Sequence, residues 1–183
     1  MAYLARAARR DSIVEAAATV VARAGLSAVT ARAVANELGG SPGQIHHHFS
    51  STDELAAEAW RRYAAREVRA YQRAVVDLDP YAALTLFFAD LVGESEEGEA
   101  LARWAEAGAH AQIRGPVAVS YLETLAHLTD VLTDVLSGAA DARAAAGRLL
   151  MLGVGLAGIT RISDDPPLPV RMIMLSAIRA EIP

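Results

Sequence analysis

The sequence predicts an all-α protein of about nine helices, with a small helix-turn-helix head at its N-terminus and a larger helical body behind it. Three observations carry this expectation. Apolar residues recur at three- and four-residue spacing along nearly the whole chain. Glycines, prolines and capping residues fall where those periodic stretches end. Strict apolar/polar alternation, the mark of a half-buried strand, is hard to find. With 183 residues, 53% hydrophobic and 21% charged, the chain can bury one large or two small cores and lacks a disordered composition.

The first helix is expected from about Ala7 to Ala24, with Ile13, Ala16, Ala17, Val20 and Val21 on one stripe and Gly25 as its stop. In "SAVTARAVANELGG", Thr30 can cap a short helix that turns Val34 and Leu38 inward, and Gly39 with Gly40 closes it. In "SPGQIHHHF", Ser41 is a suitable N-cap, Pro42 suits the first helical turn, and Ile45 with Phe49 form an i, i+4 pair for the core. Around that helix axis Gly43, Gln44 and His47 point outward, flanked by His46 and His48. Consecutive helical residues diverge by about 100°. The three histidines therefore cannot converge on one ion, and no metal site is expected.

Ser51 and Glu54 have capping-box spacing and launch a long helix from about Asp53 to Val76. Asp79 and Pro80 begin another that ends near Gly93. The acidic "GESEEGE" reads as a loop or frayed start, and "ALARWAEAGAHAQI" as helix. Pro116 and Gly138 bound a helix with Val117, Tyr121, Leu125, Leu128, Leu132 and Leu136 inside. His127 shares a face with Ser120, Glu123, Asp130 and Asp134, and that face is expected in solvent. The last two helices, about Ala139 to Ile162 and Val170 to Ala180, are separated by the breaker "DDPPLP". "GVGLAG", Gly153 to Gly158, matches a dinucleotide-binding pattern, but no strand precedes it; close packing of small residues is the better reading, and no cofactor is expected.

Two short helices joined by a glycine turn, the second led by a cap and a proline, describe a helix-turn-helix whose second helix enters a DNA major groove. The net charge of −5 is unevenly spread: residues 1 to 50 carry +2 and the remainder −7, a basic head on an acidic body. There are no cysteines, so disulfides and thiolate metal sites are excluded, as suits a cytoplasmic protein. The start lacks the apolar core of a secretory signal, and the run Leu149 to Ile159 is too short to span a bilayer, so no membrane partner is expected. No nucleophile lies in a recognisable turn and no paired His/Glu metal spacing appears, which argues against an enzyme.

The ordered set Ala16, Ala17, Gly25, Thr30, Val34, Ala35, Leu38, Gly39, Ser41, Ile45, His48, Phe49, Ser51 and Leu55, within residues 9 to 55, resembles the DNA-binding domain of the TetR family of bacterial regulators. The resemblance implies a DNA-binding domain over residues 1–52 and a ligand-binding and dimerisation domain over 53–183. It implies a homodimeric repressor that binds a palindromic double-stranded DNA operator and is released by a small-molecule effector. By the same resemblance Pro42, Gly43, Gln44 and His47 face the groove, where glutamine suits a bidentate adenine contact, and Ser41 belongs to the DNA-binding set. His46 and His48 reach phosphates and sugars, and Thr30 and Arg32 hold the backbone. The family usually has lysine where this chain has Thr52, so one phosphate contact becomes a neutral hydrogen bond; Pro42 also replaces a commonly polar or basic residue.

The family's four-helix dimer interface falls on the last two helices, which nominates Leu149, Leu152, Gly155, Leu156, Ile159, Met172, Leu175 and Ile178. Apolar periodicity alone equally fits ordinary core. The ligand pocket lies among the middle helices, with Phe87, Trp104, His110, Tyr121 and Met151 as candidates, and the sparse charge there favours a mostly apolar effector. A helical small-molecule-binding or protein-interaction module without DNA binding is the alternative.

Overall fold

The computed structural model describes residues 2–94, 99–163 and 166–182. It follows that the middle of the acidic segment and the two aspartates of the late breaker lie outside the described residues.

Helix α1 (Ala2–Ala24) buries Ile13, Ala17, Val20 and Val21, as the sequence spacing requires. A 3-10 turn over Leu26–Ala28 follows, and then α2 (Ala31–Glu37). Thr30 caps α2: its Oγ1 accepts from the Ala33 amide at 3.1 Å. Gly39, at φ +64°, ends the turn after it in the left-handed region that glycine tolerates. Helix α3 (Pro42–His46) is short, and His47 and His48 lie in the turn that closes it. Ile45 and Phe49 are 2% and 3% exposed, which anchors this segment from beneath. α1 packs on α2 and α2 on α3.

Helix α4 (Thr52–Ala74) starts at the expected box, with one difference. Ser51 Oγ accepts from the Glu54 amide at 3.1 Å, but the Glu54 carboxylate reaches Ser50, taking its amide at 2.9 Å and its hydroxyl at 2.7 Å. Beyond it come α5 (Pro80–Phe87), α6 (Ala89–Val92), α7 (Glu99–Ala111), α8 (Gly115–Val135), α9 (Ala142–Ile162) and α10 (Val170–Glu181). The described residues thus form ten α-helices, because the single helix expected between Pro80 and Gly93 breaks at Phe88 (φ −100°, ψ 23°). No glycine or proline marks that break in the sequence. Phe88 is buried with its ring against Gly153, where an added Cβ would lie 2.6 Å from Phe88 Cε1. Gly153→Ala is therefore expected to lower stability by about 1–2 kcal/mol through overpacking, read from denaturant unfolding; no change would mean that Phe88 can withdraw freely.

The chain divides into two compact units: residues up to 67 with 106–124, and 68–105 with 125 onward. The sequence reading divides it after residue 52. The first compact unit extends into α4, where Trp60, fully buried, sits among Tyr63 and Tyr121, with ring centroids 5.7 and 6.0 Å away. Ser120 is also fully buried, its hydroxyl donating to the Val117 carbonyl at 2.9 Å, which corrects its expected place in solvent; His127 and Glu123 are exposed as expected.

The core of the second unit includes Leu84, Phe88, Val92, Leu132, Leu136, Leu149, Leu156, Met174 and Ile178, and α10 packs on α5, α6 and α9. Leu149, Leu156 and Ile178, nominated as interface residues, are thus core residues of their own unit, 1%, 4% and 0% exposed. Leu152 and Leu175 pack partly against the same core, and Ile159 is half-buried. The outward face of α9 and α10 carries instead Met151, Val154, Gly155, Gly158, Ile162 and Met172. At 21 residues α9 is long and apolar enough by length and composition to cross a membrane, longer than the run read from sequence. Seven of its residues are buried, the pattern of a core helix.

Candidate nucleic-acid interface

The head presents Thr30, Arg32, Ser41, Pro42, Gly43, Gln44, His46, His47 and Thr52 to solvent, with His48 half-buried. Thr30 combines exposure with its capping role. The segment is held from behind by Arg10 of α1. Its guanidinium donates to the His48 carbonyl, pairs with Glu54 at 2.9 Å and Glu58 at 3.3 Å, and lies 4.0 Å from the Phe49 ring centroid. One arginine therefore ties α1, the histidine turn and α4 together. Sequence reasoning counted Arg10 only as charge, since its partners lie 38 to 48 residues away.

Packing also redistributes the head's charge. Arg62 bonds Glu15 at 2.7 Å and Asp11 at 2.5 Å, Arg66 pairs with Glu15, and Arg23 with Glu37 at 2.9 Å. The three acids of the first fifty residues are thus all matched. Arg6, Arg9 and Arg32 have no carboxylate partner among the described residues. Arg9 instead donates to the Gln44 side-chain oxygen. The region around His48 is correspondingly positive: burial, then Arg6, Arg10, Arg9 and His47, push its imidazole below the usual 6.5. His48 is therefore neutral at pH 7, a hydrogen-bonding group before any phosphate approaches.

A second constellation joins α7 to the turn after α1. Glu106 accepts from the Leu26 amide at 3.1 Å, the Ser27 amide at 2.8 Å, and the Ser27 hydroxyl. His110 Nε2 lies 3.3 Å from Ser27 Oγ and 3.6 Å from Glu106 Oε1, while its Nδ1 is buried without a partner among the described residues. Burial raises the Glu106 pKa, but the donors from Ser27 and Leu26, with His110, outweigh it and hold the carboxyl below its ordinary 4.5. Nothing in the local sequence flags this contact, which spans about eighty residues.

The five ligand candidates are divided between the two units. His110 belongs to the Glu106 constellation, and Tyr121 packs with Trp60 in the same unit; burial raises its phenol pKa. Phe87 and Trp104 lie in the second unit, partly buried against its core. Met151 is 54% exposed on the outer face of α9. Phe87 stacks edge-on with Tyr71 and Phe88, centroids 5.1 and 4.8 Å apart. On the same helix, the buried Thr85 hydroxyl has no hydrogen-bond partner among the described residues, a group that sequence reasoning missed. Among the described residues no three His, Asp or Glu side chains gather as metal ligands.

A short, externally polar helix set on a buried Ile/Phe pair and preceded by a capped helix and glycine turn gives the head a helix-turn-helix arrangement in an all-α chain. Residues 13–59 match the family model described as bacterial regulatory proteins, tetR family. Over this region, about a quarter of the chain, it is similar to the TetR family of bacterial regulators. It is 39% identical over 57 residues to the HTH-type transcriptional repressor KstR2 of Mycolicibacterium smegmatis, a match that spans 31% of this chain and 28% of that repressor. Among solved structures it resembles a transcriptional regulator from Rhodococcus sp. Rha1 (27% identity, 94% of this chain and 92% of that one, TM-score 0.65). It also resembles the regulator FadR of Bacillus subtilis in complex with stearoyl-CoA (15% identity, 93% and 96%, TM-score 0.63). At that identity the latter likeness is one of fold.

Proposed function

We propose that the protein is a cytoplasmic, ligand-responsive repressor that binds a palindromic DNA operator as a homodimer and leaves it when a small, mostly apolar effector binds. The observation that carries this reading is the exposed surface of Ser41, Pro42, Gly43, Gln44, His46 and His47 over buried Ile45 and Phe49, beside arginines that pair with no carboxylate among the described residues. Such a surface offers groove-reading groups and phosphate-binding charge together. The aromatic cluster of Phe87 with Tyr71 and Phe88 supports a mostly apolar effector.

Duplex binding against salt tests the DNA reading. Thr52 is exposed at the start of α4. Thr52→Lys should add a phosphate contact, strengthen operator and unrelated duplexes alike, and steepen the log-log salt slope by about 0.9 per contact. A gain confined to one sequence would mean that position 52 reads bases or shape.

The dimer is tested at Gly155. This residue is exposed, and an added Cβ there meets nothing within 4 Å. Gly155→Leu should leave the subunit fold intact yet weaken association by about 1–3 kcal/mol if another α9 packs closely against it. Sedimentation showing an unchanged dimer would reject that face.

A further inference from the structure

We propose that Arg9 is a specificity-determining residue: by holding the Gln44 side-chain oxygen it turns the groove-facing end of α3 into a donor surface that selects guanine. The inference rests on the reading of α3 as the groove-binding helix and deepens it. A free glutamine is ambivalent, because its amide presents an acceptor oxygen and a donor nitrogen of nearly equal size and can flip between them. In that state it suits adenine, whose groove edge offers one acceptor, N7, and one donor, N6.

Gln44 is not free. Arg9 of α1 donates through Nη2 to Gln44 Oε1, which fixes the flip and engages one of the oxygen's two lone pairs with a charged donor. Two further observations make this a built pair. Gly40 has no positive φ that would demand glycine, yet a Cβ there would lie 3.0 Å from Gln44 Oε1 and 3.6 Å from Arg9 Nη2. The bare backbone at position 40 thus leaves the space in which the two side chains meet. Arg10, the neighbouring guanidinium, is committed to Glu54, Glu58 and the His48 carbonyl. Arg9 has no such carboxylate. With its oxygen turned toward Arg9, what Gln44 presents to the groove is chiefly its NH2, with two donor hydrogens. Guanine is the base whose major-groove edge carries two acceptors, N7 and O6.

The test is selection of bound duplexes from a random pool, followed by affinities on palindromes differing at one base pair, for the parent, Arg9→Ala, Arg9→Lys, Gln44→Ala, the Arg9→Ala/Gln44→Ala double variant and Gly40→Ala. The informative position is the one whose preference disappears in Gln44→Ala. There the parent should favour guanine over adenine by about fivefold or more. Arg9→Ala should lose or reverse that preference, and Arg9→Lys, which keeps the charge but not the planar fork, should fall between. Gly40→Ala, with Arg9 intact, should shift the same position by displacing the amide. In the Gln44→Ala background Arg9→Ala should change no base preference. The inference is overturned if Arg9→Ala weakens all duplexes equally and keeps the parental preference, or if the parent prefers adenine at that position. A parent that binds duplex DNA without any sequence preference, or not at all, rejects the groove-binding reading itself and the inference with it.

Discussion

Gly25→Ala is expected to destabilise the first unit by about 3 kcal/mol or more, combining backbone strain with overpacking. Gly25 has φ +82° and ψ 175°, a region open essentially to glycine alone. A Cβ at this position would also overlap the Glu106 carboxylate, so the substitution strains the backbone and pushes away the group that satisfies the Leu26 and Ser27 amides. The loss should appear as a lower denaturant midpoint at unchanged m-value. Glu106→Ala in the same chain should then cost little more, because both changes break one contact. A Gly25→Ala protein as stable as its parent would mean that the turn after α1 rearranges without cost.

Glu106→Ala alone is expected to cost about 3 kcal/mol at neutral pH, since it leaves two turn amides without the carboxylate and hydrogen bonds to charged groups are individually worth about 1.5–3 kcal/mol. The Glu106 side chain is only 12% exposed, so water replaces these bonds poorly. The pH dependence has a definite sign. Folding holds this carboxyl below 4.5, so its contribution is fully present above that value and is lost as pH falls through the folded pKa. The parent should therefore lose stability on acidification below about pH 4.5, and Glu106→Gln should show a shallower acid limb while keeping part of the neutral stability. Parallel acid limbs would assign the acid sensitivity to other carboxylates, such as Glu54 and Glu181, whose pKa values are also lowered.

Features made by neighbours within four residues were legible in the sequence. Thr30 caps α2, Pro42 opens α3, and Ser51 with Glu54 opens α4, because a cap bond joins groups within one turn of chain. The outward direction of Gly43, Gln44 and His47 followed from the Ile45/Phe49 pair in the same way. What no local pattern carries is the identity of a distant partner. Arg10 and Arg9 read identically as basic residues, yet one is locked to Glu54 and the other turns to Gln44.

Amino-acid order by itself determined that the chain would be helical, where most helices begin, and that its first fifty residues form a helix-turn-helix, since helix periodicity and capping are short-range. Tertiary structure alone decided which apolar residues of α9 and α10 face inward. Leu149, Leu156 and Ile178 fill their own core, while Met151, Gly155 and Met172 lie outside it. An apolar stripe states only that a face is to be covered, and the covering elements come from far along the chain. The same reason places the break at Phe88 opposite Gly153 and sets Glu106 under the turn at Gly25.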